Sequence, residues 1–256
     1  MNPTRPARGV VITRPAGEAA RLAALIRAAG GEPMLYPAIE IRDAPDTRAL
    51  DGVIDRLDEF DLAVFISPSA VEQAMSRIRA RRELPARLRC AAIGPGGVRA
   101  LQRFGVDEVI APQARYDSES LLASPYLQDV SGWRVVIFRG DGGRELLGDT
   151  LRARGAQVTY AVCYQRAKPA FDTAPLIQAW EHHRIGAVIV TSSEGLRNFC
   201  EYIGAAAQAW LNDTLTVVPH PRIAAAARER GLRRVVESES GDEALARTVM
   251  RCIDGA

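Results

Sequence analysis

Short apolar runs recur along the chain and alternate with segments of helical periodicity. The clearest runs span residues 10–12, 62–66 and 135–138, and each has the length of a buried strand rather than of a helix. The intervening segments are rich in Ala, Leu and Arg and place apolar residues three or four positions apart, which predicts amphipathic helices. This alternation predicts β-α-β units on parallel sheets, and therefore an α/β fold.

The pattern yields about ten strand candidates, which is enough for two sheets of five strands. Besides the three runs, the candidates lie near residues 33–36, 89–93, 107–110, 157–163, 186–190, 215–218 and 234–236. Helices are predicted over residues 18–29, 70–80, 143–154, 194–203, 222–230 and 242–252. Several predicted helices end at a glycine, where a left-handed backbone is tolerated.

The two halves of the chain resemble each other at a nearly constant offset. The positions related by a shift of 125 or 126 residues are 10–14 and 135–139, Gly30 and Gly155, Ser67 and Ser192, Pro95 and Pro221, and Gly105 and Gly231. Such a shift indicates an internal duplication, and 256 residues that are 47% hydrophobic favour two domains. Two unrelated units with the same strand and helix rhythm remain the alternative.

Charge and cysteine spacing exclude several classes of protein. Lys and Arg number 33 against 31 Asp and Glu, with no basic run, so we predict no nucleic-acid partner. The four cysteines are far apart and form no C-x-x-C, which predicts neither a disulfide framework nor a thiolate metal site. Residues 1–9 lack the apolar stretch of a signal peptide or membrane span, so we expect a cytoplasmic protein that does not enter a membrane.

The motifs of nucleotide binding, serine hydrolysis and zinc proteolysis are absent. The chain has no G-x-G-x-x-G, no G-x-x-x-x-G-K-[ST], no G-x-S-x-G and no H-E-x-x-H, so we predict no cofactor and no metal. Its histidines are His182, His183 and His220. The first two follow Trp180 on a polar stretch and are expected to be exposed, whereas His220 closes a strand and is a candidate ligand contact.

Small polar residues, glycine and proline follow the strand candidates, at the edge where open α/β sheets bind ligands. These turns comprise residues 13–15, 67–69, 94–97, 139–143, 191–193 and 220–222. Free backbone N–H groups at the start of a following helix favour an anion. Six such turns predict a polyanionic ligand, although the same residue types are also ordinary helix caps. Arg14, Arg139 and Arg222 are candidates to bind carboxylates, or else to pair with neighbouring acids.

The order and spacing of these segments resemble the uroporphyrinogen-III synthase family along the whole chain. The segments that carry the resemblance are residues 11–15, 30–33, 36–37, 64–71, 92–95, 118–122, 138–140, 143–144, 155–158, 164–166, 191–193 and 219–224. No single segment is specific, but few families combine all of them in one chain of this length. The sequence departs from the family at Gly97, where threonine is frequent, so a hydroxyl role cannot be transferred to that position.

The resemblance implies two flavodoxin-like domains with parallel sheets, joined by a two-strand hinge. Domain one would comprise residues 1–38 and 170–256, and domain two residues 44–163. The crossings between them would be residues 39–43 and 164–169. The sequence alone equally permits two consecutive units.

The resemblance also implies a reaction and a set of residues. The family cyclises hydroxymethylbilane, a linear tetrapyrrole rich in carboxylates, to uroporphyrinogen III in haem biosynthesis, with loss of water and inversion of ring D. Tyr164 is implied as the catalytic acid, or else as a residue that packs the hinge. The implied substrate-binding residues are Arg14, Ser67, Pro68, Ser69, Gly94, Ser118, Arg139, Gly140, Thr191, Ser192, Ser193, His220 and Arg222.

Implied partners are the small-molecule substrate and a transient contact with hydroxymethylbilane synthase, and we expect a monomer. The main alternative is a non-catalytic regulatory module that binds a tetrapyrrole or another polyanion, because one fold hosts many functions. A bilobed solute-binding protein would share the two lobes, but the export signal is missing. A sugar-phosphate or nucleotide transferase would need phosphate-binding loops that the sequence lacks.

Overall fold

The computed structural model describes residues 7–113 and 116–255 and has an α/β architecture. The strands are β1 (Gly9–Ile12), β2 (Glu32–Leu35), β3 (Glu40–Asp43), β4 (Leu62–Phe65), β5 (Arg89–Ala92), β6 (Val109–Ile110), β7 (Arg134–Gly140), β8 (Gln157–Ala167), β9 (Ile185–Ile189), β10 (Leu215–Val218) and β11 (Val235–Glu237). The helices are α1 (Ala16–Ala28), α2 (Arg48–Asp55), α3 (Pro68–Arg79), α4 (Pro95–Arg103), α5 (Ser118–Leu122), α6 (Leu146–Ala153), α7 (Ala174–Glu181), α8 (Ser193–Asp213), α9 (Pro221–Glu229) and α10 (Asp242–Ile253). Short 3₁₀ helices lie at Leu57–Glu59 and Pro125–Leu127. The predicted α/β class with parallel sheets is confirmed.

Two predicted helices differ from the structure by three residues or more at one end. The helix predicted over residues 143–154 begins only at Leu146, because Gly142 and Gly143 adopt left-handed backbones with φ of 71° and 118°. The helix predicted over residues 194–203 continues as α8 beyond a break at Gly204, whose φ of 64° and ψ of −177° are not helical. Both differences arise at glycines, which accept conformations that other residues avoid.

The chain divides into two compact units, of which the first comprises Met1–Glu40 and Ala167–Ala256. Its sheet has the order β2-β1-β9-β10-β11, and the pairs β1–β2, β1–β9, β9–β10 and β10–β11 are parallel. Numbered within the unit, this is the flavodoxin-like order 2-1-3-4-5. Val10 and Ile12 pack with residues of α1 and α10, whereas Val11 packs with residues of α7, α8 and α9. The sheet is therefore buried on both faces, as parallel sheets require.

The second unit, Ile41–Arg166, contains the six-stranded sheet β3-β8-β7-β4-β5-β6. Phe65 and Phe138 stack with ring centroids 4.9 Å apart and belong to a core that includes α2, α3 and α4. Val64 and Ile137 point to the other face and pack with residues of α5 and α6. Residues 40–43 and 164–167, which lie in the predicted crossings, are strand residues of β3 and β8.

The sequence offset relates strands that occupy equivalent places in the two sheets. A shift of 125 or 126 residues places β7, β8, β4, β5 and β6 in register with β1, β2, β9, β10 and β11, and both sets have the same spatial order. Gly30 and Gly155, related by the shift, have φ of 82° and 87° after helices α1 and α6. The second sheet has the additional strand β3. The sequence predicted two sheets of five strands, whereas the described residues form one sheet of five strands and one of six.

No helix in the described part of the chain combines the length and the apolar character needed to cross a bilayer.

Candidate functional site

The candidate residues of the first unit follow three neighbouring strands. Arg14 follows β1, residues 191–193 follow β9, and residues 220–222 follow β10. Because these strands are parallel neighbours, their carboxyl ends share one edge of the sheet. In the second unit, residues 67–69 follow β4, residues 94–97 follow β5 and Gly140 ends β7 at the corresponding edge.

Three of the candidate side chains cap helices. The Ser67 Oγ accepts a hydrogen bond from the Ala70 N–H at 3.0 Å, and the repeat-related Ser192 Oγ accepts one from Gly195 at 2.9 Å. The His220 Nδ1 accepts one from the Arg222 N–H at 3.1 Å. Each cap satisfies one N–H group of the first turn, while the helix end keeps its positive partial charge.

Other candidates occupy the first turns of helices. Pro68 and Ser69 are the first residues of α3, Gly94 directly precedes α4, and Ser118 opens the short helix α5. Residues 139–143 differ from the prediction, because α6 starts only after Glu145. Five of the six turns therefore lead directly into a helix.

Ser193 opens α8 next to Thr191 and the cap Ser192. Its Oγ is buried and has no hydrogen-bond partner within the described residues. A buried hydroxyl without a partner is unfavourable, so this position favours a ligand that offers a polar atom.

Arg14 is engaged in an ion pair within the first unit. Its Nη1 donates to the Asp242 Oδ1 at 2.5 Å, and only 14% and 8% of the two side chains are exposed. Arg222 differs from Arg14, since it is exposed and its guanidinium forms no ion pair with any described residue. Of the two arginines that follow parallel strands, Arg14 is thus held in a largely buried ion pair, whereas Arg222 is exposed to solvent.

Arg139 lies buried at the end of β7. Its Nε donates to the Gly142 carbonyl at 3.2 Å, its Nη1 donates to the Glu145 Oε1 at 2.9 Å, and its Cζ lies 4.7 Å from the centroid of the Tyr160 ring. The Tyr160 hydroxyl and the Arg139 guanidinium lower the pKa of the Glu145 carboxyl. The turn at residues 139–145 is therefore held together by this arginine.

The Nη2 of Arg139 is buried and lacks a hydrogen-bond acceptor in the part of the chain that the structure describes. A side chain at Gly143 would crowd it, since a Cβ there would lie 3.0 Å from Nη2. An unpaired buried guanidinium N–H is costly, and a carboxylate would satisfy it.

Tyr164 is buried on β8, with 3% of its surface exposed. Its Oη lies 3.1 Å from the Ser67 Oγ, and its backbone carbonyl accepts a hydrogen bond from the Asp141 N–H at 3.0 Å. Gly140 on the neighbouring strand β7 pairs with Tyr164, and a Cβ at Gly140 would lie 2.5 Å from the Tyr164 Cε2. The glycine thus makes space for the tyrosine ring.

The partners of these residues were not predicted from the sequence. Glu145 and Tyr160 surround Arg139, and Asp242 neutralises Arg14 from 228 residues away. A carboxylate six residues after Arg139 is a local signal that could have been found. Nothing in the sequence marks Asp242 as the partner of Arg14.

A metal site is not formed by the residues that the structure describes: no three His, Cys, Asp or Glu side chains lie together in a suitable arrangement. The four cysteines are free thiols. Burial raises the pKa of the Cys90 and Cys163 thiols to about 12, so neither is a nucleophile at neutral pH.

A cavity of about 380 Å³ opens at the opposite edge of the first sheet. It lies between the amino ends of β9 and β10 and is lined by Trp180 and Trp210. None of the candidate residues lines it.

Comparison with known proteins identifies a family. The family model described as Uroporphyrinogen-III synthase HemD matches residues 20–247. The chain is 34% identical over 235 residues to the uroporphyrinogen-III synthase of Escherichia coli K12, covering 91% of this chain and 96% of the relative. The enzyme of the same name from Salmonella typhimurium is also 34% identical over 235 residues, with the same coverage.

Solved structures of proteins with this name share the fold. A mutant uroporphyrinogen III synthase from the extremely thermophilic bacterium Thermus thermophilus superposes with a TM-score of 0.64 at 21% identity, covering 98% of this chain and 100% of the other. The uroporphyrinogen-III synthetase of Helicobacter pylori 26695 gives a TM-score of 0.59 at 15% identity, covering 96% and 99%. Together with the sequence relatives, which exceed 30% identity over most of their length, these findings place the chain: it belongs to the uroporphyrinogen-III synthase (HemD) family, as the order and spacing of its sequence segments predicted.

Proposed function

We propose that this chain is a lyase that cyclises hydroxymethylbilane to uroporphyrinogen III, with loss of water and inversion of ring D. The observation that carries the proposal is the 34% identity to named uroporphyrinogen-III synthases over 91% of the chain. The substrate is a small tetrapyrrole, and the product is the precursor of haem.

The chemistry needs a proton and a fixed substrate conformation. When the C–O bond of the hydroxymethyl group breaks, its electron pair leaves with the oxygen, and the pyrrole nitrogen stabilises the positive charge left on carbon. A positioned acid assists this departure by protonating the leaving oxygen. The rest of the rate enhancement comes from holding the linear tetrapyrrole in a folded conformation, in which its reactive carbon meets the substituted carbon of the last ring.

Tyr164 is the acid in this proposal. Its phenol can donate one hydrogen bond to the departing oxygen, and its hydroxyl is already fixed by Ser67 at 3.1 Å. The ring is held by Gly140 and lies on a strand that continues into the segment leading to the other unit. A rigid, positioned donor is what general acid catalysis requires.

The residues proposed to bind the carboxylates of the substrate lie at the strand edges of each unit. Support comes from the Nη2 of Arg139 and the Oγ of Ser193, which have no hydrogen-bond partner among the described residues, and from the exposed guanidinium of Arg222. Arg14 offers its N–H groups other than the one held by Asp242. The remaining members of the proposed binding set are Ser67, Pro68, Ser69, Gly94, Ser118, Gly140, Thr191, Ser192 and His220.

We further propose the domain roles and the cellular setting. Residues 1–38 with 170–256 and residues 44–163 act as two domains, and segments 39–43 and 164–169 act as a two-strand hinge. The enzyme works as a cytoplasmic monomer and receives its unstable substrate in a transient contact with hydroxymethylbilane synthase. Light scattering that shows a stable dimer would overturn the monomer.

The test supplies the purified protein with freshly generated hydroxymethylbilane and separates the oxidised product isomers by chromatography. We expect the type III isomer to exceed the type I isomer that forms spontaneously. Tyr164→Phe removes the proton donor while keeping the ring, and should slow type III formation at least about a hundredfold, the low end for general acid catalysis. The matched control is Tyr126→Phe, since Tyr126 is 66% exposed and is not one of the candidate residues.

The outcomes separate the two function classes. Type I product alone, as in buffer without protein, would refute the enzyme and favour the regulatory module that binds a tetrapyrrole. Excess type III product with an unimpaired Tyr164→Phe variant would keep the enzyme but remove Tyr164 as its acid.

A further inference from the structure

One hydroxyl group connects the start of a helix to the phenol of Tyr164. The Ser67 Oγ accepts the Ala70 N–H of α3 at 3.0 Å and lies 3.1 Å from the Tyr164 Oη. The two residues are 97 positions apart in the sequence and belong to the same unit. Ser67 is therefore more than a cap.

We propose that Ser67 is a positioning residue, which donates its proton to the Tyr164 oxygen and so keeps the phenolic proton free for the departing hydroxyl group. The inference deepens the proposed function and depends on it. It assigns Ser67 a role through Tyr164 that differs from contact with substrate carboxylates.

Either oxygen can be the donor in this hydrogen bond, and the acid role of Tyr164 decides the direction that the proposal requires. A serine hydroxyl has one donor and two acceptor positions, and Ala70 occupies one acceptor position of Ser67. If Tyr164 donated to Ser67, its proton would be directed away from the substrate. If Ser67 donates to Tyr164, the phenolic proton is available, and only this direction permits acid catalysis.

The helix favours the same direction. An N–H donated to the Ser67 oxygen polarises its O–H bond, since linked hydrogen bonds strengthen one another. The amino end of α3 also carries a positive partial charge. Both effects stabilise the negative charge that grows on the Tyr164 oxygen as its proton leaves, and hydrogen bonds to a charged oxygen are stronger than those to a neutral one.

The step balances in atoms and charge. The C–O bond breaks and its electron pair stays on oxygen, which takes the Tyr164 proton and leaves as water. Tyr164 becomes a phenolate held by Ser67, and the substrate becomes a cation. The substituted carbon of the last ring has no hydrogen, so once it has bonded to the reactive carbon its older bond to the methylene bridge breaks, with the electron pair staying on the last ring. The positive charge is then on the bridge carbon, which bonds to the unsubstituted carbon of the same ring. That carbon loses its proton, which restores the phenol and leaves the ring inverted.

The repeat provides a contrast within the same chain. Ser192 stands where Ser67 does and caps α8 in the same way. A shift of 125 residues relates Tyr164 to Ile39, a buried apolar residue whose Cδ1 lies 3.9 Å from a Cβ built at Gly195. The serine–tyrosine pair thus exists in one repeat, and the other repeat retains the cap alone.

The test is a double-mutant cycle between Ser67 and Tyr164. Ser67→Gly removes the hydroxyl but preserves the helix start, because glycine is tolerated at this position. We expect kcat to fall about tenfold, as for a lost hydrogen bond to a charged group, and KM to change less than about twofold. Ser67→Thr keeps a hydroxyl group and should retain most of the wild-type kcat. Ser67→Ala gives a second measurement of the kcat that is lost with the hydroxyl group.

In the Tyr164→Phe background, Ser67→Gly should lower kcat by less than about twofold, because the hydroxyl that it serves is gone. An equal loss in both backgrounds, or a loss confined to KM, would overturn the inference while the proposed function stands. A wild-type protein that forms no type III excess would refute the proposed function, and the inference with it. Unfolding curves for each variant confirm that the comparison is made on folded protein.

Discussion

Gly140 leaves no room for a side chain beside Tyr164. A Cβ at this position would lie 2.5 Å from the Tyr164 Cε2 and 2.7 Å from its Cζ. The ring cannot move into solvent, because only 3% of Tyr164 is exposed. Overpacking of this kind costs about 1–3 kcal/mol, and the reduced freedom of the unfolded chain recovers about 0.4–1 kcal/mol. Gly140→Ala should therefore destabilise the protein by about 1–2 kcal/mol.

Urea unfolding followed by circular dichroism measures this cost. With a urea dependence of about 1–3 kcal/mol per M, the midpoint should fall by about 1 M. The displaced ring should also lose its 3.1 Å contact with Ser67. Formation of type III product should slow accordingly, even in urea-free buffer where the variant is folded.

Two control variants separate the clash with the Tyr164 ring from a general effect of replacing glycine. Tyr164→Leu removes the ring atoms that would clash. Adding Gly140→Ala to the Tyr164→Leu variant should therefore lower the free energy of unfolding by less than half as much as it does in the wild type. Gly52→Ala changes a helical glycine whose Cβ position has no atom within 4 Å apart from its chain neighbours and its own helix backbone, and should stabilise by about 0.5–1 kcal/mol. A Gly140→Ala variant with an unchanged midpoint, or an equal cost in both backgrounds, would refute the packing argument.

Three further outcomes are expected. Asp242→Ala leaves Arg14 without its buried partner and should destabilise by about 3 kcal/mol, whereas a thermal unfolding temperature equal to that of the wild type would show the pair to be dispensable. Hydrogen bonds from Arg77 lower the pKa of Asp51. The ionised Asp51 carboxylate therefore stabilises the fold at pH values above its ordinary pKa, and this stabilisation is lost as the pH falls through the lowered pKa of the folded protein. Asp51→Asn should flatten the acid side of the stability profile, and an unchanged slope would contradict the assignment. Because burial raises the pKa of Cys90 to about 12, a thiolate-specific reagent at pH 8 should leave Cys90 unmodified in the folded protein, and peptide mapping that finds it labelled would disprove its burial.

Much of the fold could be predicted because its signals are local. The run at residues 215–218 matches β10, since a strand buried on both faces is continuously apolar. The predicted helix over 242–252 differs from α10 by one residue. Strand β3 was not among the strand candidates of the hydrophobic pattern, and only the family resemblance implied it, as part of the two-strand hinge. Its four residues Glu40–Asp43 are half-exposed or exposed, so no apolar run marks them, and their place beside β8 is decided by the sheet.

The sequence by itself determined the strand and helix order, the repeat and the edges at which the candidate residues lie, because each depends on neighbouring positions along the chain. Only the tertiary structure decided which of those residues are engaged. It joined Arg14 to Asp242, left the Nη2 of Arg139 without an acceptor in the described part of the chain, and brought Ser67 to the phenol of Tyr164. The physical reason is that a hydrogen bond depends on distances of about 3 Å between atoms, and residues far apart in sequence reach such distances only when the sheets and their helices have packed.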